Sequence, residues 1–255
     1  MELFDLSNKT ILITGGNRGI GLAISKSLHH YGARVVIAAR NKQQNLIAKN
    51  SFLTAQERIL TIECDITNAK DVERAFDNAC EWGGELYGCI ANAGCRGTGE
   101  AITTLSLDHW RQTVAVNLEG TFLTLQAGAK RLVKQKSGGR LLAISSIAAL
   151  QGNAKFSDYC AVKAGIAGLC RSLAIELASE QITVNCIMPG WIDTEMNKDV
   201  KADRRQYEAI RRLRIPMGRW ASPEELSGAA VYLMSKASRY HTGDALVIDG
   251  GYSIF

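Results

Sequence analysis

Seven short runs of apolar, largely β-branched residues recur along this chain, separated by stretches of helical character. The runs are Thr10 to Ile13, Arg34 to Ala38, Ile59 to Glu63, Tyr87 to Ala91, Arg140 to Ser145, Thr183 to Met188 and Ala245 to Ile248. Helical patterns occupy roughly 18–31, 42–49, 68–82, 107–136, 156–179 and 223–236. This alternation leaves few folds open. Strands that alternate with helices pair in parallel, and right-handed crossovers place the helices on both faces. Continuous apolar runs are what strands covered on both faces require. The expected class is α/β, with a doubly wound, seven-stranded parallel sheet between two helical layers. A chain of 255 residues is expected to fold as a single domain spanning 1–255. Residues 191–221 break the pattern, because they follow Pro189-Gly190 and hold no convincing strand. A long irregular excursion from a compact domain is usually a lid or binding loop, so a substrate lid is expected there.

Several function classes are disfavoured by composition. Thirty basic and 25 acidic residues give a net charge of +5, too mild to argue for nucleic acid. The seven cysteines are scattered without a C-x-x-C pair, as expected for reduced thiols in a cytoplasmic protein. Four histidines, with His29 and His30 the only neighbours, argue against a metal centre. No apolar run reaches the roughly 18 residues of a membrane span.

Thr14-Gly15-Gly16-Asn17-Arg18-Gly19-Ile20-Gly21 directly follows the first strand-like run and opens a helix. Glycines let the backbone turn tightly and approach a pyrophosphate. The helix start supplies unpaired N–H groups and a positive dipole end. The spacing is G-x-x-x-G-x-G, not the G-x-G-x-x-G of longer dehydrogenases. The second strand should end beside the adenosine ribose, where readers of NAD place Asp or Glu. This chain has Arg40-Asn41 there and no carboxylate. Arg40, with Arg18 from the glycine loop, suits a 2′-phosphate, so NADP(H) is expected over NAD(H).

Tyr159 and Lys163 lie four residues apart in a helical stretch, with Ser146 thirteen residues upstream. Residues so spaced share a helix face. An ammonium there is expected to pull the tyrosine pKa down from roughly 10 and suit it to proton transfer. Tyr232 and Lys236 repeat the spacing but lack an upstream serine, since Arg219 stands there. They are read as helix packing and a solvated helix-end cation.

In order and spacing these motifs resemble the classical short-chain dehydrogenase/reductases almost end to end, and the resemblance implies a three-layer Rossmann fold. Thr14, Gly15, Asn17, Arg18, Gly19, Ile20 and Gly21 match the family's cofactor loop, followed by Arg40 and Asn41. Asp65 matches the acid that contacts the adenine, with Ile66 beside it, and Asn92-Ala93-Gly94 matches the motif that borders the cofactor. Asn117, Ser146, Tyr159 and Lys163 match the catalytic tetrad, Ser145 being the less favoured serine. Pro189-Gly190-Trp191-Ile192-Asp193-Thr194 matches the segment that holds the nicotinamide carboxamide through Ile192 and Thr194. Asp249-Gly250-Gly251 matches the motif after the last strand. The resemblance implies that Lys163 also binds the nicotinamide ribose and that Asn117 holds a water linking Lys163 to solvent.

The activity so implied is reversible hydride transfer between NADP(H) and a carbonyl or secondary alcohol, with Tyr159 as general acid/base and Ser146 as hydrogen-bond donor. One alternative is 3-oxoacyl-carrier-protein or acyl-CoA reduction. The family's carrier-protein reductases carry basic residues where this chain has Ser137 and Glu180. Leu3-Phe4-Asp5-Leu6 resembles the start of sugar and sugar-acid dehydrogenases such as those for gluconate and glucose. A catalytically silent NADP-binding regulator should show a damaged tetrad, and none is seen. Cys95-Arg96, residues 148–156 and the lid should bound the substrate, with Arg204, Arg205, Arg211, Arg212 and Arg214 as an anion site or simply a solvated face. Small residues in helix 156–179 (Ala161, Ala164, Gly165, Ala167, Gly168) predict close packing and a homotetramer.

Overall fold

The computed structural model describes residues 2–255. In chain order the elements are β1 (Thr10–Thr14), α1 (Gly19–His30), β2 (Arg34–Ala39), α2 (Lys42–Asn50), β3 (Ile59–Glu63), α3 (Ala69–Gly83) and β4 (Leu86–Ala91). There follow α4 (Leu107–Val114), a π-helical turn (Ala115–Glu119), α5 (Gly120–Gln135), β5 (Gly139–Ile144), α6 (Ser157–Leu177) and β6 (Ile182–Pro189). The chain ends through α7 (Lys198–Ala202), α8 (Arg204–Leu213), α9 (Ser227–Met234) and β7 (Ala245–Ile248), with short 3-10 turns between elements. All seven strands are parallel, in the order β3-β2-β1-β4-β5-β6-β7. The expected strands are present, each within a residue or two of its sequence bounds.

Alternation along each strand feeds two cores. Ile11, Ile13, Val35 and Ile37 point to one face, where they meet Ile24 and Leu28 of α1 and Val231 of α9. Leu12, Val36 and Leu141 point to the other, against Phe76 of α3, Leu125 of α5 and Ile166 of α6. Strand residues two apart share a face, so one apolar run supplies both layers. The strand order reverses between β1 and β4, which opens a crevice at their carboxyl ends.

Two expected elements differ from their sequence reading. The helix expected over 107–136 is interrupted by the π-helical turn at Ala115–Glu119, in which Asn117 is buried. Residues 191–221 are not irregular. They form α7 and α8 and close on themselves by a bridge between Ile192 and Ala221. Their own small core joins Val200, Ile215 and Trp220, with Trp191 stacked on Trp220 at 5.1 Å. The amphipathic pattern of α8 was masked by its dense arginines.

Candidate active site

The glycine loop is held by side chains rather than by its own turns. Thr14 Oγ1 accepts from the Asn92 and Ala93 amides, at 3.1 and 3.2 Å. Asn92 Nδ2 donates to the carbonyls of Thr14 and Gly15. Asn17 is buried and donates to Asn45 Oδ1 at 2.7 Å, while Asn45 donates to Ala39 O and Ile62 O. Thus Thr14, Asn17 and Asn92 brace the loop, while its amides and the start of α1 remain for a ligand. Asn45 was missed in the sequence. Its signal was a polar residue on the buried face of α2, beside Ala48.

The loop fits a dinucleotide. A Cβ at Gly21 would come within 2.3 Å of Gly15 O and 2.4 Å of Asn92 Nδ2, so the first turn of α1 lies directly under the loop. Gly19 faces Thr194, and Ile20 is half-buried beside it. Arg18 and Arg40 are exposed at the ends of the loop and of β2. Asn41 caps α2 by accepting from Gln44 N at 2.9 Å, which is a structural use of its side chain. The Thr67 amide holds the Asp65 carboxyl below its usual range, and the Arg40 charge adds to this. The side chain of Ile66 is buried against Gly120 in the core, which leaves its backbone to meet a cofactor. Pro189 ends β6, and Gly190 N donates to Ile248 O. Ile192 is buried, its carbonyl accepting from Asn197 Nδ2, and Thr194 is half-buried facing the glycine loop. Gly94 and Ala93 line the step from β4 towards Asn117 and Lys163.

The tetrad residues come together at the ends of β4 and β5 and the start of α6. The two adjacent serines divide their work. Ser145 Oγ donates to Lys163 O at 2.8 Å and is buried. Ser146 is half-exposed; its Oγ accepts from Ala148 N, and its hydroxyl lies near enough to Tyr159 to favour the phenolate. Lys163 is buried and donates through Nζ to Ile144 O at 3.0 Å, with its ammonium 5.4 Å from the Tyr159 ring centroid. Asn117 Oδ1 accepts from Cys95 N, while Nδ2 donates to Thr113 O and Cys95 Sγ. The π-helical turn is what brings this amide to the loop after β4.

The electrostatics depart from the expectation. Burial pushes the Tyr159 phenol up to about 12, against the opposing effect of the nearby Ser146 hydroxyl. Burial also lowers Lys163 to about 8. Burying Lys163 and half-burying Tyr159 outweigh the mutual attraction inferred from their spacing. Tyr159 in the protein alone therefore holds its proton at neutral pH.

The second tyrosine–lysine pair has no such surroundings. Lys236 lies beyond the end of α9 and is exposed, and Tyr232 OH lies 3.2 Å from His241 Nδ1. The arginines of 204–214 are mostly engaged as well. Arg211 and Arg212 pair with Glu208, and Arg214 stacks on Tyr252 at 4.6 Å. Among the described residues no group of three potential metal ligands occurs, and no helix is long and apolar enough to cross a membrane.

Comparison with known proteins agrees with this geometry. A family model described as Enoyl-(Acyl carrier protein) reductase matches residues 15–253. An L-rhamnose 1-dehydrogenase (NAD(P)(+)) from a Sphingomonas species is 35% identical over 249 residues, covering 96% of each chain. A 3-oxoacyl-[acyl-carrier-protein] reductase from Rickettsia prowazekii is 34% identical over 250 residues, covering 98% of each. A crystal structure of a short-chain type dehydrogenase/reductase from Mycobacterium marinum superposes with a TM-score of 0.93 at 35% identity, covering 98% of each chain. The crevice at the sheet's switch point, the braced glycine loop and the Ser–Tyr–Lys cluster thus have one common explanation: this chain belongs to the classical short-chain dehydrogenases/reductases, oxidoreductases that work on alcohol and carbonyl groups with a nicotinamide cofactor.

Proposed function

We propose that this protein transfers a hydride reversibly between NADP(H) and a carbonyl or secondary alcohol of a small substrate. The observation that carries the reading is the convergence of Ser146, Tyr159, Lys163 and Asn117 beside the glycine loop. The nicotinamide, when bound, supplies or takes the hydride. Tyr159 gives a proton to the carbonyl oxygen in reduction and takes one in oxidation. Its raised pKa keeps the donating form populated at neutral pH. Ser146 accepts from Ala148 N, which leaves its own O–H to stabilise the same oxygen. Lys163 is the residue placed to hold the ribose, its backbone fixed by Ser145.

The preference for NADP(H) rests on Arg18 and Arg40. Both are exposed, and among the described residues neither has an ion-pair partner within 4.0 Å. Arginine's planar fork suits a 2′-phosphate. The domain of 1–255 carries both cofactor cradle and catalytic groups, with residues 191–221 as lid over the substrate. The reaction is placed in the cytoplasm, consistent with seven free cysteines. A homotetramer is supported by the exposed small face of α6 at Ala161 and Ala164 and by Ile175 and Phe122, 83% and 42% exposed.

Carrier-protein reduction is the second reading, favoured by the 34% identity to the Rickettsia enzyme. Ser137 and Glu180 are exposed and not basic, which gives an acidic carrier no cation at either position. The test is a panel read by NADPH and NADH absorbance. It holds keto-sugar acids, simple diketones and acetoacetyl-CoA, with L-rhamnose for the oxidative direction. Turnover of small carbonyls or alcohols supports the first reading, and turnover of acetoacetyl-CoA alone the second. No turnover with either cofactor would overturn both.

A further inference from the structure

Arg96 follows β4 in the loop Cys95-Arg96-Gly97, and this loop is clamped to the catalytic helix. Cys95 N donates to Asn117 Oδ1 at 3.2 Å, and Thr98 N donates to Asp158 Oδ2 at 3.3 Å. Asp158, the residue before Tyr159, is wholly buried and also accepts from Thr113 Oγ1 at 2.8 Å. Between these anchors Gly97 leaves no room for a side chain. A Cβ there would come 2.8 Å from Asp158 Oδ1 and 2.9 Å from Tyr159 Cβ. The chain before Arg96 is therefore tied to the π-helical turn and the chain after it to the start of α6.

The side chain of Arg96 is braced as well. Its guanidinium lies over the ring of Phe156, 5.2 Å from the centroid. Phe156 is the residue that opens α6, three positions before Tyr159, and packs beside Gly99. Arg96 is half-buried, and among the described residues it has no ion-pair partner within 4.0 Å. Of the acids near it, Glu100 pairs with His109 at 2.8 Å, and Asp158, against Gly97, accepts from Thr98 N and Thr113 Oγ1 through Oδ2 while its buried Oδ1 has no hydrogen-bond partner. The Arg96 charge also reaches the Tyr159 phenol, where it opposes the effect of burial. Lys163, the other cation at the site, already donates to Ile144 O.

A stacked guanidinium keeps its N–H edge free and matches a carboxylate with two parallel hydrogen bonds. We propose that Arg96, braced on Phe156, binds a carboxylate of the substrate beside the reacting carbon, so that the substrates are hydroxy acids and oxo acids. This rests on the hydride-transfer reading above. One unpaired cation suits a carboxylate monoanion better than a phosphate dianion, which calls for more positive charge.

The test compares an oxo acid with its own primary amide in steady-state kinetics, using wild type, Arg96→Gln and Arg96→Lys. NADPH fluorescence titration checks that each variant still folds and binds cofactor. Wild type should favour the acid over the amide by roughly 10-fold to 100-fold in kcat/KM, the range of a charge-assisted hydrogen bond. Arg96→Gln should bring that ratio close to one, through KM for the acid, and Arg96→Lys should restore part of it. Equal use of acid and amide by wild type would overturn the proposal and leave hydride transfer standing. So would an equal loss on both substrates in Arg96→Gln, or a preference for a phosphorylated oxo compound over the acid. No turnover of any carbonyl or alcohol would remove the underlying reading, and the proposal with it.

Discussion

Lys163 makes a quantitative prediction about stability. Its ammonium is buried, and burial lowers its pKa from 10.5 to about 8. Below about pH 8 the lysine is charged in both the folded and the unfolded chain, and the folded state bears the full desolvation cost. Between about 8 and 10.5 the unfolded chain binds more protons, so this contribution to stability rises with pH. At about 1.4 kcal/mol per pH unit the whole cost is about 3 kcal/mol. Tyr159 acts in the opposite sense above pH 10, because its pKa is raised from 10.0 to about 12. Cys64 and Cys89, raised from 9.0 to about 12, also lose stability as pH rises past 9. Comparing Lys163→Met with wild type cancels these shared terms. The hydrogen bond to Ile144 O, lost in the variant, shifts the difference by a constant. Urea unfolding of both proteins, at one protein concentration and several pH values, reads the difference. The variant's stability relative to wild type should fall by about 2–3 kcal/mol between about pH 7 and pH 10. A difference that stays flat over that range would refute the buried, desolvated ammonium.

Three further outcomes follow from the site. Tyr159→Phe keeps the ring and removes the proton, so turnover should fall by about 100-fold or more while NADPH fluorescence titration still shows binding; near-wild-type turnover would rule out Tyr159 as the acid. Arg40→Asp should shift the ratio of kcat/KM values from NADPH towards NADH by about 10-fold or more; an unchanged ratio would count against Arg40 as the reader of a 2′-phosphate. Gly21→Ala would force a methyl within 2.3 Å of Gly15 O, so the loop must shift; cofactor affinity should drop by about 10-fold or more by the same titration, and unaltered binding would show that the loop does not cradle it.

The parallel sheet was legible because its signal is local and repeated. Apolar runs of strand length, each bounded by turn residues or helical patterns, carry their own period. The glycine loop and the Tyr159–Lys163 spacing were legible for the same reason. What escaped was long-range. The π-helical turn at Asn117 depends on Thr113, Cys95 and Thr121, where the hydroxyl of Thr121 donates to Asn117 O at 2.7 Å. No periodicity announces it, because both flanking segments are ordinary helix. Asn45 and Asp158 are likewise polar residues in helices, whose partners lie 28 and 45 positions away. The pKa of Tyr159 was misjudged because spacing reports who is near, while burial depends on the whole fold.

These long-range contacts share a pattern that bears on how the site works. Two of the polar side chains at the site, Ser146 and Tyr159, stand directly after a residue that ties the backbone to another element. Ser145 ties β5 to α6 through Lys163 O, while Ser146 faces Tyr159. Asp158 ties α6 to α4 and to the loop after β4, while Tyr159 faces the crevice. Asn92 ties β4 to the glycine loop, while Gly94 approaches Asn117. Proton transfer is sensitive to small displacements of its partners, and here the end of β5, the π-helical turn and the start of α6 must keep register with one another. Buried side-chain hydrogen bonds are directional and cost free energy when broken, so they suit that task better than apolar packing does. Ser145 and Asp158 therefore help to set the geometry of the residues that follow them.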